Sequence, residues 1–164
     1  MAQQQPKETD AIKHKLESFA ALQRKIDNQI ERLEQLKQTM GSPSSPNLGG
    51  SGGGSSDGVS KIERQIERKD ELERKIRELI GRESEIRAEL EQLIERLPKP
   101  DEQTVLEMRY LDRQNWRTIC AALYSDREDY QNGEKYLKKV FKVHGSALQS
   151  LAKIYNTTQL CDRQ

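Results

Sequence analysis

The side chains with the clearest chemical pattern in this sequence are lysines. Between Glu134 and Tyr155, a helix turning about 100° per residue sets Lys135, Lys138, Lys139, Lys142, Ser146, Gln149 and Lys153 in one stripe. Leu137, Val140, Phe141, His144, Ala147, Leu148, Leu151 and Tyr155 fall on the other side. No acidic residue interrupts the run between Glu134 and Asp162, although the chain carries 27 acidic against 28 basic side chains. Lysines aligned on one face neutralise phosphates, and an apolar back seats such a helix on a small core. The pattern therefore suits docking into a groove of double-stranded DNA. A solvated lysine face on an ordinary core helix has the same pattern, so the neighbouring residues must decide. Lys135, Lys138, Lys139 and Lys142 are the expected DNA contacts, joined by Gln149. Phosphate contacts set affinity and register, whereas reading a base edge needs a well-placed polar group, which Arg127, Gln131 and Asn132 in the preceding segment offer.

Other chemistries find less support. There is no Ser/His/Asp set, glycine-rich phosphate loop or suitably spaced carboxylate pair, so no enzymatic activity and no cofactor are expected. Cys120 and Cys161 lack a CxxC or Cys/His partner at metal spacing and read as free thiols in a reducing cytosol. Trp116, beside Ile119, reads as a core residue rather than a base-stacking one, and His144 as a packing histidine.

The elements that must hold the lysine stripe follow from composition. The 164 residues are 33% hydrophobic and 34% charged, with mean hydropathy −0.97, which suits long helices plus one small domain better than a single globule. The net charge of +1 gives no argument for nucleic acid; only the local distribution does. No apolar run approaches the ~20 residues of a membrane span, and the opening Met1-Ala2-Gln3-Gln4-Gln5 is not a signal sequence, so a cytoplasmic protein with no membrane partner is expected.

Residues 1–40 contain an apolar seam, Ile12, Leu16, Phe19, Leu22, Ile26, Ile30, Leu33, Leu36 and Met40, averaging 3.5 residues per step, the coiled-coil period. Residues 41–58 are a Gly/Ser linker with a reach on the order of 20–25 Å, enough for an antiparallel hairpin without requiring one. A second seam occupies 59–97: Ile62, Ile66, Lys69, Leu72, Ile76, Leu79, Glu83, Ile86, Leu90, Leu93 and Leu97, with charged interruptions at Lys69 and Glu83. A hairpin closing at the linker places Met40 near Val59 and Ile12 near Arg87. That leaves Leu90, Leu93, Ile94 and Leu97 overhanging, to be covered by the next domain or by a second subunit. Homo-oligomerisation is therefore expected.

Pro98-Lys99-Pro100 ends the long helix. Seven of the eight aromatics lie beyond it, so 98–164 reads as the globular domain. Asp101 to Leu111 predicts a helix and Asp112-Arg113-Gln114 a turn. Asn115 predicts an N-cap for a short helix from Trp116 to Leu123 buried through Trp116, Ile119, Cys120 and Leu123. Ser125-Asp126-Arg127-Glu128 has capping-box form, and Asn132-Gly133 marks a turn before the lysine helix. The expected fold is all-α: long coiled-coil helices followed by a small C-terminal helix-turn-helix.

Two runs in this region carry a family resemblance. Thr104-Val105-Leu106-Glu107-Met108-Arg109-Tyr110 with Trp116-Arg117-Thr118-Ile119-Cys120-Ala121-Ala122-Leu123-Tyr124-Ser125 resembles the opening of the region-4 domain of bacterial sigma factors. His144-Gly145-Ser146-Ala147-Leu148-Gln149-Ser150-Leu151 resembles the close of that domain's recognition helix. The whole plan looks like the phage-encoded ArpU-like and RinA-like late-transcription regulators of Gram-positive bacteria. The specific match covers roughly residues 97–151. It implies a DNA-binding regulator of phage or mobile-element genes in a bacterial host, with RNA polymerase as a further partner. The segment from Tyr124 to Glu134 is longer than the tight turn of region 4, and no counterpart of the promoter-melting sigma region is present. A small-terminase-like subunit that recognises DNA for packaging, or a coiled-coil scaffold that binds RNA polymerase without DNA, has the same outline.

Overall fold

The computed structural model describes residues 7–42, 57–131 and 133–161, with the side chains of 57–60 left aside. Among these residues the protein is all-α, with five helices and no strand: α1 (Asp10–Gly41), α2 (Asp57–Glu95), α3 (Pro100–Leu106), α4 (Trp116–Tyr124) and α5 (Gly133–Cys161). None of them is long and apolar enough to cross a membrane. Most of the Gly/Ser linker, and Asn132, lie outside the described residues. The chain divides into two compact units, one of Met1–Ala20 with Glu85–Gln164 and one of Ala21–Ser84.

In the first unit, the start of α1 and the end of α2 share a core with α5. Ile12, Leu16 and Phe19 bury against Leu90, Leu93, Ile94 and Leu97, together with Leu106, Leu111, Ala147, Leu148, Leu151 and Ala152. Leu90, Leu93, Ile94 and Leu97 therefore do not overhang. Lys15 Nζ lies 2.7 Å from Glu89 Oε2, and the Arg87 guanidinium sits 5.7 Å from the centre of the Phe19 ring. Arg87 thus stands beside Phe19 rather than Ile12, a shift of about two helical turns from the pairing expected of a tight hairpin. Apolar matching explains the shift: it brings Ile12, Leu16 and Phe19 onto the most apolar stretch of α2, which the tight pairing leaves uncovered. Arg87 Nη2 also donates to the Leu111 carbonyl at 3.0 Å, and Asn156 Nδ2 donates to the Glu8 carbonyl at 3.1 Å.

The break between α2 and α3 follows from its prolines. Lys99, preceding a proline, is extended (φ −106, ψ 120), and Pro100 opens α3 where no donor is lost. Gln103 Nε2 donates to the carbonyls of Leu97 (2.8 Å) and Glu95 (3.1 Å), satisfying acceptors that the end of α2 leaves open. The helix expected from Asp101 to Leu111 does not run through evenly. From Glu107 to Leu111 it widens into a π-type turn, with the Asp112 N–H donating to the Glu107 carbonyl five residues back at 2.9 Å. Arg113 then reverses the chain in the left-handed region, φ 58.

A second cluster of Val105, Ile119, Cys120, Tyr136 and Val140 joins α3, α4 and the first half of α5, flanked by Met108, Trp116, Leu123, Tyr124, Tyr130 and Val143.

In the Ala21–Ser84 unit, the two helices pair with opposite sense: Gln23 Nε2 donates to Glu83 Oε1 at 3.4 Å, and Lys37 Nζ lies 3.6 Å from Glu73 Oε1. The buried positions of α1 here are Gln23, Ile26 and Gln29, while Leu22 is half-buried and Ile30 is exposed. The seam therefore runs through two glutamines where the apolar pattern favoured Leu22 and Ile30. The buried positions step by three residues from Gln23 to Ile26 and on to Gln29, and Ile30 turns outward. On α2, Ile76 and Leu79 are buried, whereas Ile62, Ile66 and Ile80 are exposed.

Candidate nucleic-acid interface

Asn115 starts α4 as expected: its Oδ1 accepts the Thr118 N–H at 3.0 Å and the Thr118 hydroxyl at 3.2 Å. Ile119 and Cys120 face inward, and Trp116 and Leu123 are half-buried. The capping-box sequence at Ser125 starts no helix. The Ser125 N–H instead closes α4 on the Ala121 carbonyl (2.9 Å), and the chain turns twice more through Arg127–Tyr124 and Tyr130–Arg127 backbone bonds, each 3.1 Å.

This connector is tied to the first turn of α5 through Asp129. Lys135 Nζ lies 2.5 Å from Asp129 Oδ2, and the Tyr136 hydroxyl donates to Asp129 Oδ1. These hydrogen bonds hold the Asp129 carboxyl down to about 2 and push the Lys135 ammonium up. The rings of Tyr124 and Tyr130 lie 5.0 and 5.9 Å from that of Tyr136, closing the other side of the connector.

The lysines consequently differ from one another. Lys135 is held by Asp129, and Lys139 Nζ sits over the Tyr136 ring at 4.8 Å and near Tyr124 at 6.0 Å. Lys138 and Lys142 are exposed and make no hydrogen bond or ion pair among the described residues. Gln149 and Lys153 are exposed on the same side of α5. Ser146 is not part of the open stripe: its hydroxyl donates to Glu102 Oε1 at 2.6 Å, linking α5 to α3. Glu102 is 2% exposed and also takes the Lys99 ammonium at 3.3 Å. Arg127 is exposed in the connector, and Gln131 lines a cleft of about 640 Å³ with Arg117, Cys120, Tyr130, Glu134 and Leu137. Asn132 lies outside the described residues.

Two residues depart from the sequence pattern here. Phe141, assigned by its spacing to the apolar back, is 46% exposed. Its ring meets Trp116 edge-on at 5.1 Å. Trp116 is itself covered by the Arg109 guanidinium at 4.6 Å and by the His144 ring at 5.0 Å. His144 Nε2 lies 3.0 Å from the Tyr110 hydroxyl, and burial, with Arg109 and Lys13 nearby, holds its pKa below the usual value. The second departure is Asp129. Its partners stand six and seven residues away, so no helical spacing points to it.

Both cysteines are free, Cys120 buried and Cys161 exposed. No group of three metal-ligand side chains occurs among the described residues.

Residues 40–141 match the family described as "Protein of unknown function (DUF1492)". The chain belongs to the DUF1492 family. No curated protein and no solved structure is a match. The DUF1492 match takes in α2, α3, α4, the connector and α5 as far as Phe141. It therefore includes Asp129 and the three lysines up to Lys139. It ends before Lys142, Gln149 and the part of α5 that packs on α1.

Proposed function

We propose that this DUF1492 protein binds double-stranded DNA and regulates transcription of phage or mobile-element genes. In this reading α4 and α5 act as a helix-turn-helix with α5 in the major groove, and α1 and α2 form a coiled-coil hairpin that brings copies of the chain together. The observation that carries the reading is the outer face of α5, where Lys138, Lys142 and Lys153 stand exposed and no acidic residue follows until Asp162. A cationic face of this kind on a helix backed by a packed core attracts a polyanion. The resemblance of 97–151 to sigma region 4 and to ArpU-like and RinA-like regulators gives the transcriptional part of the proposal.

Fluorescence anisotropy on a duplex over a range of salt tests it. Each phosphate contact contributes about −0.9 to the slope of log affinity against log salt. Lys138→Ala and Lys142→Ala should each flatten that slope by about one unit and weaken binding on every sequence. Lys135→Ala and Lys139→Ala should do less, because Asp129 and Tyr136 already engage those ammonium groups. Lys61 and Lys75, on the acid-rich α2, serve as controls. Variants of Lys138 and Lys142 that match wild type in slope and affinity would sink the DNA reading.

One observation favours a second reading, a scaffold that binds protein through α2. Ile62, Ile66 and Ile80 are 57%, 46% and 46% exposed on that helix. This reading expects no salt-dependent affinity for DNA.

A further inference from the structure

In the DNA reading the lysines would meet phosphates, which carry no sequence information, and two residues beside them, Phe141 and Gly145, are not accounted for by burial in the core of the chain. Among the described residues, Phe141 is the one aromatic of the large apolar side chains that stand exposed. It is not a loose ring. Trp116 meets it edge-on at 5.1 Å, and Trp116 is fixed in turn by Arg109 at 4.6 Å and His144 at 5.0 Å. One edge of the ring is thus anchored while the rest faces water. Gly145 is the second residue. It sits in the interior of α5, where glycine weakens a helix relative to alanine. A Cβ placed there meets nothing within 4 Å, and its backbone is not in the left-handed region. Close packing among the described residues therefore does not account for this glycine, as it does not for Gly81 in α2.

At about 100° per residue, Lys138, Phe141, Lys142, Gly145 and Gln149 share an arc of about 100° on the outer side of α5. Phe141 and Gly145 are one turn apart, so a raised aromatic edge stands beside a bare stretch of helix backbone, with Lys138 and Lys142 both on the Gly145 side of Phe141 and the exposed Glu134 two turns before Phe141 at the start of the same arc. A partner that presents phosphates to the lysines would bring its own surface close to the helix at Gly145. In the major groove of DNA, the one apolar group that a base edge presents is the thymine C5 methyl.

Resting on the DNA reading above, we infer that Phe141 and Gly145 form its sequence-reading notch: Gly145 lets the base edges approach the helix, and the Phe141 ring packs on a thymine methyl. Gln149, one turn beyond Gly145, is placed to read the adjoining base.

The test uses the full chain. A random-sequence duplex library is enriched on the wild-type protein, and the selected duplex is then synthesised with thymine and with uracil, which differs only in lacking the methyl. Burying a methyl is worth about fourfold in affinity, so loss of each contacted methyl should weaken wild-type binding by about that factor with the salt slope unchanged. Phe141→Ala should bind the two duplexes equally and keep the wild-type slope, while Phe141→Leu should retain part of the discrimination. Gly145→Ala is expected to keep or raise thermal stability, since its Cβ meets nothing, and Gly145→Leu should weaken binding on every duplex without loss of helix content. Wild-type binding that is salt-dependent but indifferent to uracil overturns the notch and leaves the DNA reading standing. So does discrimination that survives in Phe141→Ala. If the wild-type protein binds no library member with any salt dependence, the DNA reading fails and the notch fails with it.

Discussion

Phe19 lies in the third turn of α1, far in sequence from α5, yet it is 1% exposed in the core that α5 completes. Phe19→Ala should therefore destabilise the region around α4 and α5 and not only α1. An aromatic side chain of this kind buries on the order of 200 Å², which at about 25 cal/mol per Å² is about 5 kcal/mol. Compaction of the denatured chain reduces such figures by up to about 40%, leaving about 3–5 kcal/mol, the range of Phe→Ala changes in cores. Loss of the Arg87 contact adds little, because Arg87 keeps its bond to the Leu111 carbonyl. Against a total of about 5–15 kcal/mol for a domain, this is a large share. The assay is urea denaturation followed by two signals. Far-UV circular dichroism reports all the helices, and fluorescence reports Trp116, the one tryptophan, which belongs to the second cluster. Both midpoints should fall together. A Trp116 transition that stays in place while helicity is lost early would refute the reasoning, since α1 would then not belong to the cooperative unit that holds α5.

Two further outcomes are expected. The Asp129 carboxyl, held down to about 2 in the folded chain against an ordinary 3.8, favours the native connector above pH ~4 and loses that contribution as pH falls toward 2. Limited proteolysis of residues 125–131 at pH 3 against pH 6 should show the connector opening at the lower value, and Asp129→Asn should be cut equally at both. In the Ala21–Ser84 unit, Gln23 buries an Oε1 with no hydrogen-bond partner, so Gln23→Leu should stabilise by about 1–3 kcal/mol in urea titrations. It should also broaden the spin-label distance between sites on α1 and α2, because a polar layer with Glu83 helps to fix register.

The sequence announces what depends on neighbours along the chain and conceals what depends on packing at a distance. The prolines at 98 and 100, the Asn115 cap and the long lysine helix are local features, and each stands where its residues imply. The seam of α1 is not local in this sense: its apolar pattern marks Leu22 and Ile30, whereas in the folded chain Gln23 and Gln29 are the buried positions. The pairing of α1 with α2 depends on α5, whose apolar residues complete the core around Leu90, Leu93, Ile94 and Leu97. Of the candidate DNA contacts, the lysine spacing is visible in one dimension. That Lys135 and Lys139 are occupied by Asp129 and Tyr136 is not, because the connector must first fold back. Phe141 sits at the edge of the apolar sector, about 60° around the helix from Lys138, so its spacing fits either face, and the folded chain leaves it 46% exposed against Trp116.

The order in which the chain is made adds a constraint of its own. Ile12, Leu16 and Phe19 leave the ribosome early, but their final companions include Leu148 and Leu151, and Leu151 follows Phe19 by 132 residues. At synthesis rates of about 5–20 residues per second, the apolar face of α1 waits roughly 7–26 s for the segment that seals it. During that interval, α2 offers Leu90 and Leu93 to Phe19 only once its own end has emerged, and α3 adds Leu106 to the same core later still. A nascent chain stalled before α5 should therefore present a sticky α1, and chaperone capture on such stalled chains should depend on Phe19.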